Sequence, residues 1–449
     1  MMRTILGAMT VLAGLLTQDA SASAVFARQT GMACTSCHFQ HFPLLNGFGR
    51  AFKSSGFTMM GAQGRVEGAD LTIPNTLNLS VLATAGYEKS NRAKVSVLEK
   101  NSGDGLYYAP ASGGELALSF GGRIGENAGF LGELGTGDAV GAYISAKMPI
   151  QFDLSSIASF GTRVGIVPFA TDAQGASYGY EVLNTGANAV HTMSPAPGFN
   201  RAHSGAVSAQ QYLGTDGAAK GLAFVLSNPN GFVNITRYDR TGIAGARFAA
   251  MGSTYLRVAG LIPLAGWEAL AVGAQTWGGS SAVNDPAGLA PLVQAATQAY
   301  AADVQLQGHL NDMPLGIYAS YARAPVIAAN TATGHVGNAY NTYQTLDATG
   351  NLVTTTGIKE KSAVNIAAEL GIVPNVFTLG AGLRRGTSGN GLSDNAVFLT
   401  GTYQMLQNII WSLSYTNASG GYWYSNAAGN GTTDLIGKTT YTINLATVF

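Results

Sequence analysis

Charge is scarce in this sequence. Only 11% of its 449 residues are charged, and 24 Lys and Arg balance 24 Asp and Glu, so the formal net charge is zero. A typical soluble domain carries about 25% charged residues, and a nucleic-acid binder needs a basic excess to displace counterions from phosphates. The balance therefore argues against an ordinary cytosolic protein and against nucleic acid as a partner. Proline is also sparse, at 14 residues, while glycine is abundant at 60. No G-X-Y period accompanies the glycine, so collagen and Pro-rich disorder are excluded. Long apolar runs are missing too. The best stretch, Leu256 to Ala274, contains Arg257 and Glu268 and is centred on Pro263-Leu264-Ala265-Gly266, which reads as a turn between strands. No other run approaches the ~18 residues that a spanning helix needs.

What is present begins with an export signal. Arg3 supplies a positive start, Ile5 to Leu16 an apolar stretch, and Ala20-Ser21-Ala22 and Ala22-Ser23-Ala24 two overlapping cleavage sites. Residues 1–24 are assigned as a signal peptide, because about twelve apolar residues cannot cross a ~30 Å hydrocarbon core. An exported chain that is 46% hydrophobic and has no spanning helix retains one route into a bilayer. Only helices and closed barrels satisfy every backbone hydrogen bond in lipid, so the expected fold is all-β, a transmembrane antiparallel β-barrel.

The last strand carries the pattern most clearly. Tyr441, Ile443, Leu445, Thr447 and Phe449 share one face, and Thr440, Thr442, Asn444 and Ala446 share the other, the apolar-out, polar-in dyad of a barrel strand. The terminal Phe resembles the end of bacterial outer-membrane proteins. Val304, Leu306 and Leu310 alternate with Asp303, Gln305, Gln307 and His309, and Val364, Ile366, Ala368 and Leu370 alternate with Asn365 and Glu369. Short turns near 228–230, 263–266, 311–312, 373–375 and 405–407 alternate with long loops near 239–251, 278–298, 324–360, 386–393 and 417–436. This is the asymmetry of periplasmic turns and external loops. Eleven strands follow Ala219, and five more lie near 77–87, 114–124, 129–135, 139–148 and 161–167, separated from the rest by a loop near 168–218. The total is about sixteen, with both termini periplasmic. Glycine suits the bends of such a wall, and a ring of this size encloses more space than wall side chains fill.

The chemistry sits near the start of the mature chain. Cys34-Thr35-Ser36-Cys37-His38 is a C-x-x-C-H motif built on the only two cysteines. Two thiols at this spacing can add to the two vinyl groups of one haem while the adjoining His offers a ring nitrogen to the iron. A redox dithiol would need a βαβ setting, and zinc a second ligand pair. The motif therefore predicts one covalent haem c held by Cys34, Cys37 and His38. Residues 25–70 are expected to form a small haem segment that plugs the barrel of residues 71–449. It is rich in Phe and has a helical stretch around Leu44 to Lys53 interrupted by Gly47 and Gly49. For the distal position Met59 and Met60 are equally suitable, since a thioether would raise the potential, with Met32, a barrel His such as His309, or an open site as alternatives. His41 is too close to His38 to reach the opposite face of the ring and is expected at the surface or near a propionate. Arg50 and Lys53 suit propionates or the lumen, and Asp303, His309, Glu369 and Arg384 are expected to face the lumen.

Phe26-Ala27-Arg28-Gln29-Thr30-Gly31, the Cys34 to His38 motif, Phe42-Pro43, and Phe48 to Lys53 followed by Gly56-Phe57 together resemble the fused monohaem cytochrome-porins of the outer membrane, best known from iron-oxidising bacteria. The resemblance is carried by residues 26–60. It implies oxidation of extracellular Fe(II), with the electron passed inward to a periplasmic blue copper protein or small c-type cytochrome. The same parts could run outward to an external acceptor. Without the haem, the chain would be a passive diffusion porin with an N-terminal plug.

Overall fold

A computed structural model describes residues 25–449 apart from 70, 91–104, 110–113, 137–141, 173, 187–207, 241–250, 284–292, 331–333, 347–351 and 425–437. The expected signal peptide, most of the 239–251 loop and part of the 417–436 loop lie outside the described residues. Sixteen antiparallel strands close into a barrel. The first five are β1 (Asn78–Ser90), β2 (Leu116–Arg123), β3 (Gly129–Thr136), β4 (Ala142–Lys147) and β5 (Arg163–Thr171). The next six are β6 (Ala219–Asn228), β7 (Gly231–Asp239), β8 (Ser253–Ile262), β9 (Trp267–Val283), β10 (Ala299–Leu310) and β11 (Met313–Ala324). The last five are β12 (Lys361–Val373), β13 (Phe377–Thr387), β14 (Ser393–Leu406), β15 (Ile409–Ser419) and β16 (Thr439–Val448). Short segments prolong three of them: Gly105–Tyr108 pairs with β1 beyond β2, Ile150–Asp153 continues β4 along β5, and Val293–Ala296 continues β10 along β9.

Closure comes from β16 pairing with β1, from Thr440 against Ser90 to Val448 against Leu82. The carbonyl and amide of terminal Phe449 bond to Val81 at 2.6 and 3.0 Å, so the last residue completes the seam. Among the described residues the barrel therefore has no unpaired edge strand, the kind of edge that lipid penalises heavily. The alternation read from the sequence is physical: on β16 Tyr441 and Ile443 are exposed while Thr440, Thr442 and Asn444 are buried. Both ends of the wall lie at the short-turn mouth.

The long connections differ from simple loops. β9 runs on to Val283, through the start of the expected 278–298 loop. The 324–360 segment carries a hairpin of Thr342–Leu346 against Leu352–Thr356. The segment after β5 turns inward, because it contains Tyr178, Tyr180, Val182 and Leu183, all buried. Its later part forms a short helix, α3 (Ala209–Leu213), whose first amide donates to Ser320 Oγ at 2.8 Å. The lumen is thus filled from the loop side as well as by the N-terminal segment.

One strand displays the filling in order. Along β10 the inward residues are Ala299, Ala301, Asp303, Gln305, Gln307 and His309. Ala299 packs in an aromatic cluster with Trp277 and Tyr340. Asp303 accepts from Thr185, Gln305 accepts from the Asn184 amide at 2.7 Å, and Gln307 accepts from Arg50 at 2.7 Å. Only His309, at the short-turn mouth, is exposed.

Candidate functional site

The N-terminal segment is a plug seated in that mouth. Helix α1 (Val25–Thr30) leads to a 3₁₀ turn over Cys34–Ser36, and helix α2 (Gly47–Ser54) follows. The turn continues through the motif: the Cys37 and His38 amides donate to the Cys34 carbonyl at 3.1 and 2.9 Å. Cys34 and His38, one helical turn apart, therefore lie on one side. Cys34 and Cys37 are free thiols, half-buried, and burial raises both, Cys37 to about 11 with a further push from Cys34. Burial thus favours the protonated thiol at both positions.

Asn46 ties the turn to α2. Its side-chain amide donates to the carbonyls of Thr35 and Ser36 at 3.3 and 3.0 Å, and its Oδ1 caps the helix by accepting from the Gly49 amide at 2.9 Å. This cap explains why Gly47 and Gly49, expected to interrupt the helix, sit inside it instead. Gly49 is required for contact: a Cβ there would lie 2.2 Å from the Cys37 carbonyl oxygen. Helix and Cys-x-x-Cys-His turn meet backbone to backbone.

His38 Nδ1 lies 3.0 Å from the Leu44 carbonyl. A carbonyl only accepts, so Nδ1 carries the proton and Nε2 is bare. Desolvation pushes the ring down to about 4, against its backbone hydrogen bonds, which keeps it neutral as a metal ligand must be. The Phe42 ring meets it edge-on at 5.2 Å. Phe26, Phe52 and Phe57 form the plug's own core. Met32, Phe42 and Phe48 stay exposed at 40%, 40% and 38%. A cleft of about 180 Å³ opens beside His38, lined by Thr35 and Asn46 from the plug and by Glu268, His309 and Pro374 from the wall.

The other expected residues separate. Met59 is held through its carbonyl by Gln29 Nε2 at 2.8 Å, and Gln29 Oε1 accepts from the Arg123 amide at 2.9 Å. That anchors it at the end of β2, across the ring from the cleft, and neither Met59 nor Met60 lines the cleft. His41 departs from its expected surface position. It is 1% exposed, with Nε2 at 3.1 Å from both Glu369 oxygens. Burial disfavours its charge, but the Glu369 carboxylate outweighs this and raises its pKa. Arg50 takes the lumen role, bonding Gln307 and lying 3.7 Å from Glu268. Burial draws Lys53 down to about 8, opposed by Glu181. Asp303 pairs with Arg257, and Arg384 with Asp394 at 2.7 Å. The expected lumen residues Asp303, Glu369 and Arg384 are thus engaged in pairs.

Sequence reasoning missed Gln29, Asn46 and Asn184. Gln29 and Asn184 act by bonding backbone groups far away in the chain, which nothing in local spacing marks, whereas Asn46 carried a local signal as an N-cap residue before Gly47. The buried Arg257, ion-paired with Glu181 at 2.9 Å and with Asp303, had one signal: a lone cation in an otherwise apolar stretch.

Fold and site define the class, a closed sixteen-stranded antiparallel β-barrel with a plug seated in one mouth. No family model and no curated protein matches the chain. Solved structures that it resembles include the outer membrane channel DcaP of Acinetobacter baumannii, at 10% identity and TM-score 0.46, covering 86% of this chain and 100% of that one. OmpF of Salmonella typhi, solved with daunomycin, gives the same identity, TM-score and coverage. OmpT of Vibrio cholerae matches at 9% identity and TM-score 0.43, again over 86% and 100%. At such identities the likeness concerns the barrel fold alone.

Proposed function

We propose that the protein is an outer-membrane c-type cytochrome of the fused cytochrome-porin kind, which takes electrons from extracellular Fe(II) and passes them to a periplasmic blue copper protein or small c-type cytochrome. One observation carries this reading. The two free thiols sit on a turn that ends in His38, whose Nδ1 is pinned and whose Nε2 is bare, beside an open cleft. When bound, haem would supply one reversible electron at its iron.

The chain's own residues do the rest. Cys34 and Cys37 would add their S–H groups across the vinyl double bonds, forming two thioethers. His38 would hold the iron from one side, oriented by the Leu44 carbonyl that accepts from its Nδ1, since a hydrogen bond to the other ring nitrogen commonly fixes a ligating His. Phe42, edge-on to the His38 ring at 5.2 Å, would cover part of the apolar haem edge. Placing the short-turn mouth in the periplasm puts both barrel ends there and presents the plug to a soluble acceptor.

The passive-porin reading is favoured by the sixteen-stranded architecture. Such a porin needs a water-filled lumen, yet the inward residues Asn234, Thr236, Asp303, Gln305, Gln307 and Asn365 are all no more than 3% exposed. This packing supports a housing over a conduit. A visible spectrum of the purified protein decides between them: a c-type α band is expected, and its absence would end the cytochrome reading. Stopped-flow mixing of oxidised protein with Fe(II) tests the donor. Reduction is expected, and its absence at every acidic and neutral pH would remove iron. Outward transfer would appear as reoxidation by external but not periplasmic acceptors.

A further inference from the structure

Two imidazoles face one cleft, one from the plug and one from the wall. His38 offers a bare Nε2 on the plug side. His309 lies on the wall side, on the last inward position of β10 before the Asn311-Asp312 turn, opposite Pro314 in the ladder. Its ring is exposed at the mouth, and both residues line the same cavity. The plug is positioned against that strand by several bonds. Gln307, one inward step from His309, donates to the Leu45 carbonyl at 3.2 Å and accepts from Arg50. Leu45 in turn bridges His38 across the plug's own backbone. His309 is therefore placed on the His38 side of the mouth by the same strand that seats the plug.

None of the candidate thioethers, Met32, Met59 or Met60, lines this cleft. Met59 is anchored through its carbonyl to Gln29 and, through it, to the end of β2, whereas the wall side of the cleft is lined by Glu268 of β9, His309 of β10, Pro314 of β11 and Pro374 and Asn375 between β12 and β13. The Met59 backbone is thus held on the β2 side of the mouth, and its side chain does not line the cleft.

From these placements we infer that His309 is the second axial ligand of the haem that Cys34, Cys37 and His38 bind, so that the cofactor bridges plug and barrel wall. This rests on the cytochrome reading above. Its consequences differ from those of a thioether ligand. Two imidazoles give a low-spin iron with a lower potential than a His and Met pair. The ligand on the wall also couples the redox centre to the barrel, so detaching the plug would change the spectrum.

The test uses the full-length protein in detergent, with haem content measured by pyridine haemochrome alongside visible and EPR spectra and a redox titration. Wild type is expected to be low-spin without the far-red sulfur-to-iron band. His309→Ala is expected to keep its covalent haem but turn high-spin. His309→Met is expected to show the far-red band and a raised potential. Met59→Leu and Met60→Leu should leave all three readouts unchanged. Full haem content with an unaltered low-spin spectrum and potential in both His309 variants overturns the inference alone, as does loss of low-spin character in either Met variant. Wild type without haem overturns the cytochrome reading and the inference with it.

Discussion

Leu45 and Asn184 exchange two hydrogen bonds inside the lumen. The Leu45 amide donates to Asn184 Oδ1 at 2.8 Å, and the Asn184 side-chain amide donates back to the Leu45 carbonyl at 3.1 Å. The plug and the inward-folded segment after β5, 139 residues apart in the chain, thus meet as a strand meets a partner. Replacing Asn184 with Ala leaves the Leu45 amide buried without its acceptor, at a cost of about 1–3 kcal/mol. The expected outcome is a plug that a protease cleaves several times faster while the barrel stays intact on a gel. Unchanged cleavage would mean that the plug is held by other contacts.

His41 and Glu369 make a second attachment, fully buried. Removing the carboxylate by Glu369→Leu strands His41 in an apolar setting, and breaking one partner of a buried pair costs about 3–5 kcal/mol. Protease protection of the plug is expected to fall accordingly.

The same pair gives a pH signature. His41 is raised in the folded state, so its contribution is fully present below the unfolded value of about 6.5 and fades as pH rises through the higher folded value. The stability gap between wild type and His41→Gln should therefore be larger at about pH 6 than at about pH 9. A gap that grows with pH would show that the pair is not ionised as drawn.

Arg257 holds two carboxylates, Glu181 from the inward segment and Asp303 from the wall, and Gln275 also donates to Asp303 at 3.0 Å. Arg257→Ala leaves two buried negative charges without their shared cation. The segment is expected to leave the lumen, because repulsion and desolvation both favour it in water. Planar-bilayer recording should then show conductance at least several-fold above wild type. Equal conductance would place the segment's anchorage elsewhere.

Gly49→Ala tests the join between α2 and the haem motif. Its Cβ would meet the Cys37 carbonyl at 2.2 Å, and backbone cannot yield as a side-chain tip can. Overpacking of this kind costs about 1–3 kcal/mol or more. Haem staining on a denaturing gel should fall, since the thiols no longer hold their spacing against His38, while barrel heat-stability is unchanged. Normal staining would show that the helix can shift.

Period-2 alternation was legible because each barrel residue faces either lipid or lumen, so Tyr441, Ile443 and Leu445 against Thr440, Thr442 and Asn444 declare the strand without reference to anything distant. The same holds for the turns, where Pro229, Pro263 and Asn311 act through local backbone preference. The C-x-x-C-H motif is likewise local chemistry, complete within five residues. What the lumen contains was not legible. Tyr178 to Thr185 looks like any connection in the chain, and its burial follows only from the space that sixteen strands enclose. His41 gave the wrong impression for the same reason: its partner is 328 residues away, and a lone His beside a haem motif reads as solvent-facing until a carboxylate is brought to it. Sequence alone determined the wall, its strand number and the thiol pair, because those depend on neighbours one or two residues apart. The tertiary structure decided how the plug is seated, which charges are paired, and which imidazole shares the cleft with His38, because closing the ring brings together residues that no local pattern relates.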